Sequence, residues 1–260
     1  MSYHQLSDID WFEWNGVKCT EYSMHVLQQP SYIRPAERVE YTEIPGRSGS
    51  LTLLEGDDIY DDITLAVTCI IDDPKYINDI CGWLRGYGTV TFATDADRND
   101  GGGYYEARID NQISFDKVLA GHPHRSFQVQ FRCKPFRMLD SGNTVLVANE
   151  SPYRIQNLGN VPSLPLIRVH AGSTAVENGT IMIGSSSMIV NSLEANNYID
   201  IDCDAKKAYR GTRGSTTDPL TLLGTRVTGE WMKIDTGTVY LSFTNGITKV
   251  EIKPRWRCLG

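Results

Sequence analysis

The chain of 260 residues contains no run of about 18 apolar residues, the length a membrane-spanning helix needs, so membrane insertion is not expected. Its first ten residues have neither the basic stretch nor the apolar stretch of an export signal. There is no CxxC pair. The six cysteines, Cys19, Cys69, Cys81, Cys133, Cys203 and Cys258, are scattered, which speaks against a structural zinc site. Buried free thiols in a reducing compartment are the expectation. The sequons Asn149-Glu150-Ser151 and Asn178-Gly179-Thr180 then read as chance matches. Positive charge is also short: 25 Lys and Arg stand against 32 Asp and Glu, a formal charge of −7. Neutralising phosphates takes a basic footprint, so sequence-specific nucleic acid binding is not expected.

Catalytic patterns are missing too. The chain has no GxSxG, no P-loop, no GxGxxG and no HExxH. Gly46-Arg47-Ser48-Gly49 is one residue off the nucleophile-elbow spacing and reads as a tight turn that uses glycine dihedrals. Gly101-Gly102-Gly103 lacks the following helix of a phosphate site. A glycosidase needs two carboxylates across a cleft, and nothing favours such a pair. The expectation is a protein that is not an enzyme and uses no cofactor, with hydrolysis as a remote alternative.

What the chain does have is strand. Hydrophobic residues make up 40% and the mean hydropathy is −0.31, enough apolar surface for one large all-β domain or two ordinary ones. Phe127, Val129, Phe131 and Cys133 alternate with polar residues, as do Leu65, Val67, Cys69 and Ile71. Val90 with Phe92, and Tyr105 with Ala107 and Ile109, repeat the pattern, and so do Ile199, Ile201, Cys203 and Val239, Leu241, Phe243. Such one-sided strands belong to antiparallel sheets with one wet face. One helix is expected after Asp73-Pro74, with Ile77, Ile80, Cys81 and Leu84 as its apolar stripe and Gly86 and Gly88 ending it. A hairpin, 89–94 and 104–109, should follow. Pro135-Phe136-Arg137 then stops a strand, and Asp140-Ser141-Gly142-Asn143 is turn-rich. The domains read as 1–136 and 137–260, the second a sandwich of short strands.

Several groups invite a site reading. Asp95, Asp97, Asn99 and Glu106 fall at positions 1, 3, 5 and 12 of a calcium loop. However, Asp100 occupies the glycine position and the flanks read as strands, so a solvated hairpin loop is the plainer reading. Asp200, Asp202 and Asp204 alternate along a strand at roughly 7 Å per pair, which suits an exposed polar face. His122-Pro123-His124 reads as a chance pair before it reads as a metal clasp. Trp231 and Trp256, with Tyr198, Tyr209 and Tyr240, could stack on sugars, though tryptophan in a sandwich strand is more often core. Trp256 should pack inward while Arg255 and Arg257 reach solvent or a partner.

Two signatures carry more. One is Ile44-Pro45-Gly46-Arg47-Ser48-Gly49-Ser50-Leu51 and the other is Val250 to Leu259, which contains Lys253-Pro254-Arg255-Trp256-Arg257. Asn15-Gly16-Val17, Tyr104 to Ile109, Phe127 to Pro135-Phe136, Asn157-Leu158-Gly159-Asn160, Pro162, Pro165, Gly237 and Asn245-Gly246 fall between or beside them in order. Together they resemble the phage distal tail protein (Dit) family over most of the chain. The resemblance implies a mainly β protein of two domains. The N-terminal one would be a β-sandwich or barrel with one α-helix and a β-hairpin, packing into a six-fold ring around the tail channel. The C-terminal one would be a galectin-like antiparallel β-sandwich. It implies a structural hub of a phage or prophage virion, made in the bacterial host cytoplasm and carried at the tail tip. Its partners would be copies of itself, the tail tube, and tail-associated or receptor-binding proteins. Arg47, Arg255, Trp256 and Arg257 are the candidate interface or structural residues. The alternative is a carbohydrate-binding module acting through the C-terminal sandwich.

Overall fold

Period-two alternation decides most of the architecture. A computed structural model describes residues 10–54, 56, 58–96, 101–212, 215 and 220–260. They form two compact units: one runs to Met138 and takes in Leu259–Gly260, and the other is Leu139–Cys258.

In the first unit β1 (Phe12–Trp14), β2 (Val17–Lys18), β3 (Met24–Gln28), β4 (Val39–Glu43), β5 (Ser50–Leu54) and β6 (Ile63–Ile71) come first. Helix α1 (Ile77–Trp83), β7 (Gly86–Phe92), the single helical turn α2 (Ala93–Ala96), β8 (Gly103–Ile109), β9 (Asp116–Lys117) and β10 (Arg125–Leu139) follow. The main sheet runs β2-β1-β7-β8-β10-β6-β3, with β9 on β10. All the expected stripes are buried: Leu65 to Ile71, Val90 and Phe92, Tyr105 to Ile109, and Phe127 to Cys133. Phe12 and Trp14 on β1 lie 5.4 and 5.6 Å from Phe131 on β10, ring to ring. Those strands stand three places apart in the sheet, about 14 Å if it were flat. The sheet therefore curls around its aromatic core in the manner of a barrel.

Asn15-Gly16 turns β1 into β2 with φ of 53° and 81°, the two positive dihedrals that a tight hairpin demands. Asn15 Oδ1 also accepts the Thr89 N–H at 3.0 Å. A Cβ on Gly88 would sit 1.8 Å from that oxygen, so glycine there makes room for the turn.

The helix is shorter than its pattern. Asp73 accepts the Lys75 N–H at 3.0 Å and caps a 3-10 turn over Pro74–Tyr76, which leads into α1. Ile80 and Leu84 are buried, but Cys81 is exposed. Trp83 supplies the apolar contact instead, stacking on Phe12 at 5.6 Å and donating its indole N–H to the Trp14 carbonyl. The strand after it ends at Phe92, and Thr94 lies in the helical turn α2. Pro135 does not stop β10, which continues to Leu139. The last pair with β6 is Cys133↔Ile63, so on that side the missing proline N–H breaks no bond.

The second unit contains β11 (Leu146–Ala148), β12 (Tyr153–Asn157), β13 (Leu166–Ala171), β14 (Val176–Ile183), β15 (Ser186–Leu193) and β16 (Tyr198–Asp202). Next are β17 (Lys207–Arg210), β18 (Thr221–Leu222), β19 (Val227–Gly229), β20 (Gly237–Phe243) and β21 (Ile247–Lys253). The last strand, β22 (Arg257–Leu259), belongs by its pairing to the main sheet, on β10, and its Leu259 is counted with the first unit. Two antiparallel sheets, β11-β21-β13-β16-β17-β18 and β12-β20-β14-β15-β19, hold one core between them. Ile199, Ile201, Cys203 and Leu241 line it as their alternation requires, together with Ile167, Val169, Ile181 and Val250.

Candidate assembly surface

The first signature sits at the tip of an arm. The arm's base is a short two-stranded ribbon: Arg38 N–H donates to the Ile59 carbonyl and Asp61 N–H to the Ala36 carbonyl, both at 3.0 Å. An Arg38–Asp61 ion pair at 3.0 Å and the edge-on contact of Tyr60 with Phe136 hold the base down. Beyond it β4 and β5 pair only with each other, from Val39↔Leu54 to Glu43↔Ser50. Every described residue from Glu40 to Gly56 is exposed.

Directly paired residues share a face. Val39, Leu54, Tyr41 and Thr52 therefore lie on one side, and Leu53, Glu40, Leu51 and Thr42 on the other. Both faces carry large apolar groups: Tyr41 and Leu54 are 65% and 62% exposed on one, and Leu53 and Leu51 are 45% and 39% exposed on the other. An isolated two-stranded ribbon is marginal in water, and this one has no core of its own. At the tip Arg47 N–H closes on the Ile44 carbonyl at 3.1 Å. Gly46 and Gly49 have φ of 81° and 80° with open space around them, so backbone conformation, not crowding, calls for glycine. The Arg47 side chain is exposed. Ser50–Leu54 was missed because apolar residues on both faces leave no period-two contrast to read.

The second signature is internal. Pro254 is buried and Trp256 is 3% exposed within the core of the second unit, as its alternation suggested. Arg255 takes φ of 54°, which a non-glycine residue adopts at a cost. Its guanidinium forks onto Asp202, Nη1 to Oδ1 at 2.8 Å and Nη2 to Oδ2 at 3.0 Å. Its N–H donates to the Gly142 carbonyl, and Leu139 N–H donates to the Trp256 carbonyl. Gly142 packs so tightly that a Cβ would lie 2.3 Å from the Trp256 nitrogen, and Gly159 would meet the Arg257 oxygen at 2.1 Å. Arg257 Nε donates to the Pro162 carbonyl at 2.6 Å. Asn157, buried, spans the same region: its amide donates to the carbonyls of Val161, Ile234 and Asp235 and its oxygen accepts from Gly159 N–H. Both arginines, expected to reach outward, are thus bonded within their own chain.

The remaining candidates are dispersed. Asp97 and Asn99 lie outside the described residues. Asp95 is buried 3.9 Å from the equally buried Arg137. Glu106 stands on β8, accepting from Tyr87 Oη at 2.6 Å and paired with Lys134. No cluster of metal-ligating side chains occurs among the described residues. Asp200 and Asp202 are not an open polar face, since Arg168 grips Asp200 with two bonds of 2.7 and 2.8 Å as Arg255 grips Asp202. Arg168 also covers the Tyr198 ring at 4.4 Å, and Trp231 packs against the core. His124 and His25 share the Asp72 carboxylate at 3.3 and 2.9 Å, and the His122 ring stacks on that of His124.

No family profile and no curated protein sequence matches the chain. Solved structures do. The SPP1 Dit protein (gp 19.1), described as a paradigm of the hub adsorption apparatus in phages infecting Gram-positive bacteria, superposes with a TM-score of 0.71 at 12% identity, over 94% of this chain and 98% of that one.

The chain has the fold of a phage distal tail (Dit) protein.

Chains of the phage P2 baseplate in its activated conformation, with Ca and with Sr, match 94% of this chain and 96% and 97% of their own length at a TM-score of 0.47 and identities of 9% and 8%. Within the Dit fold the two signatures have opposite fates. One is displayed on an arm, and the other locks the second unit together.

Proposed function

We propose that the protein is a structural component of a phage or prophage tail tip, in which six copies close a ring that joins the tail tube to tail-associated or receptor-binding proteins. The observation that carries this reading is the likeness to the SPP1 hub protein over nearly the whole of both chains. The first domain, 1–136, closes the ring and meets the tube. The second, 137–260, offers the docking surface. The role is geometric and involves no catalysis, in keeping with a chain whose candidate polar groups are engaged in holding strands together.

Light scattering with negative-stain images of the same peak tests the ring. The expected particle has a mass of about 175 kDa, six copies of the 29.1 kDa chain, and a central hole. Antibody labelling of intact phage tests the location. Label at the tail tip is expected, and label confined to the capsid or the tail shaft overturns the proposal.

A further inference from the structure

Exposed apolar side chains in the first unit are concentrated in one stretch. Leu27, Tyr32, Ile33, Tyr41, Leu53 and Leu54 are 58, 64, 39, 65, 45 and 62% exposed. Part of this stretch is the arm, whose described residues from Glu40 to Gly56 are all exposed. The other part borders a gap in the main sheet. β3 pairs with β6 only from Met24↔Ile71 to Gln28↔Thr68. From Ile63 to Val67, β6 has no strand partner on that side among the described residues, leaving a row of backbone groups open to another strand. The chain leaving β3 does not cover the gap. Gln29 and Ile33 stand across from Thr64, Leu65, Ala66 and Thr68 and enclose a groove of about 170 Å3, room for a benzene-sized group.

We propose that the β4–β5 arm of one copy docks along this groove on a second copy, adding a strand beside Ile63–Val67 and placing Leu51 or Leu53 in the hollow. The inference rests on the ring reading above and names the contact that would build it. Three features select a second copy as the occupant. The groove is lined by uncharged side chains, Ile33, Leu65 and Ala66 among Gln, Ser and Thr, so it suits the mixed Leu51, Leu53 and Thr42 face of the arm and not a charged partner. At its border Arg34 is 73% exposed and makes one loose 3.6 Å contact with Glu37, while the arm carries the exposed carboxylates of Glu40 and Glu43, a complementary pair of charges. Arm and groove also occupy different parts of the same chain. A head-to-tail contact of that kind repeats from copy to copy and closes into a ring when the rotation allows, whereas a self-complementary patch would stop at a dimer.

The test is a bismaleimide crosslink between Leu53→Cys and Ala66→Cys, made in a Cys81→Ser background because Cys81 is the exposed native thiol. The double variant should give a ladder of two and more chains on a denaturing gel, and neither single variant should. A crosslink within one chain, a dimer formed by Leu53→Cys alone, or no crosslink at all overturns the proposal. The companion variant Leu51→Ser/Leu53→Ser should keep the wild-type melting temperature, since both residues are exposed, and should need at least tenfold more protein to assemble. Unchanged assembly also overturns it. The two readings fail separately. Rings without the bridge remove the arm contact and leave the hub, while a bridge between copies without label at the tail tip keeps the contact and removes the hub.

Discussion

Arg255 and Asp202, 53 residues apart, are joined by two parallel hydrogen bonds of 2.8 and 3.0 Å. The fork clips the chain's last turn to the end of β16 and satisfies a carboxylate left only 13% exposed. Such bidentate pairs are geometrically specific as well as strong. Removing one partner strands the other in a half-buried site. Asp202→Ala should therefore destabilise the protein by about 2–4 kcal/mol in urea unfolding, and Arg255→Lys, which cannot fork, should recover only part of the Arg255→Ala loss.

The same pair predicts an acid sensitivity. Burial pushes the Asp202 carboxyl up, but the Arg255 guanidinium and the N–H groups of Ala205 and Asp204 outweigh it and hold the group below its ordinary value. The pair's contribution is then whole above the unfolded carboxylate value of about 4 and is lost as pH falls through the lower folded value. Urea midpoints measured from pH 6 down to pH 2 should show a loss below about pH 4 that is smaller in Asp202→Asn. Equal losses in the two proteins would remove Asp202 as the cause.

Arg137 and Asp95 are both buried, at 0% and 3% exposure. Arg137→Met leaves a buried carboxylate without its cation and should cost about 3–5 kcal/mol. The double variant Asp95→Ala/Arg137→Met should lose clearly less than the two single losses added together. A double-mutant cycle with no coupling would show that the 3.9 Å approach contributes nothing.

Two glycines separate crowding from conformation. Gly142→Ala forces a Cβ to within 2.3 Å of backbone and should cost more than about 4 kcal/mol or prevent folding, because the obstruction cannot rotate away. Gly46→Ala meets no atom within 4 Å and strains only φ, so about 1–2 kcal/mol of local cost is expected. That cost should barely move the melting temperature of an arm with no core. Thermal melts of the two variants side by side check the contrast.

Thiol chemistry offers an inexpensive check on the first helix. Five cysteines are buried and Cys81 is exposed, and burial pushes the Cys203 thiol up to about 12, which keeps it protonated and unreactive at pH 8. The native protein should react rapidly with about one equivalent of a thiol reagent, and Cys81→Ser with none. Rapid reaction of several thiols would mean that the apolar stripes are not packed as described.

Elements with one wet face were legible. Phe127, Val129, Phe131 and Cys133 are all buried because alternation meets a single core, and Asn15-Gly16 and Asp73 act through backbone neighbours one to three residues away. The arm was hidden because both of its faces are apolar. The carboxylates were misread for a different reason. Asp200 and Asp202 look like a solvent face until Arg168 and Arg255, 32 and 53 residues distant, close over them.

Composition, turn residues and alternation determined on their own that this is a mainly β protein, and the order of its short motifs pointed to the tail-hub fold. These are local properties, set by dihedral preferences and by which side of a strand is oily. Only the tertiary structure decided that Arg255 and Arg257 turn inward, that Pro135 lies inside a strand, and that Arg47 rides on an arm with no core of its own. Each of these depends on what lies opposite a residue across tens of positions of chain, and pairwise contact in space leaves no period in a single sequence.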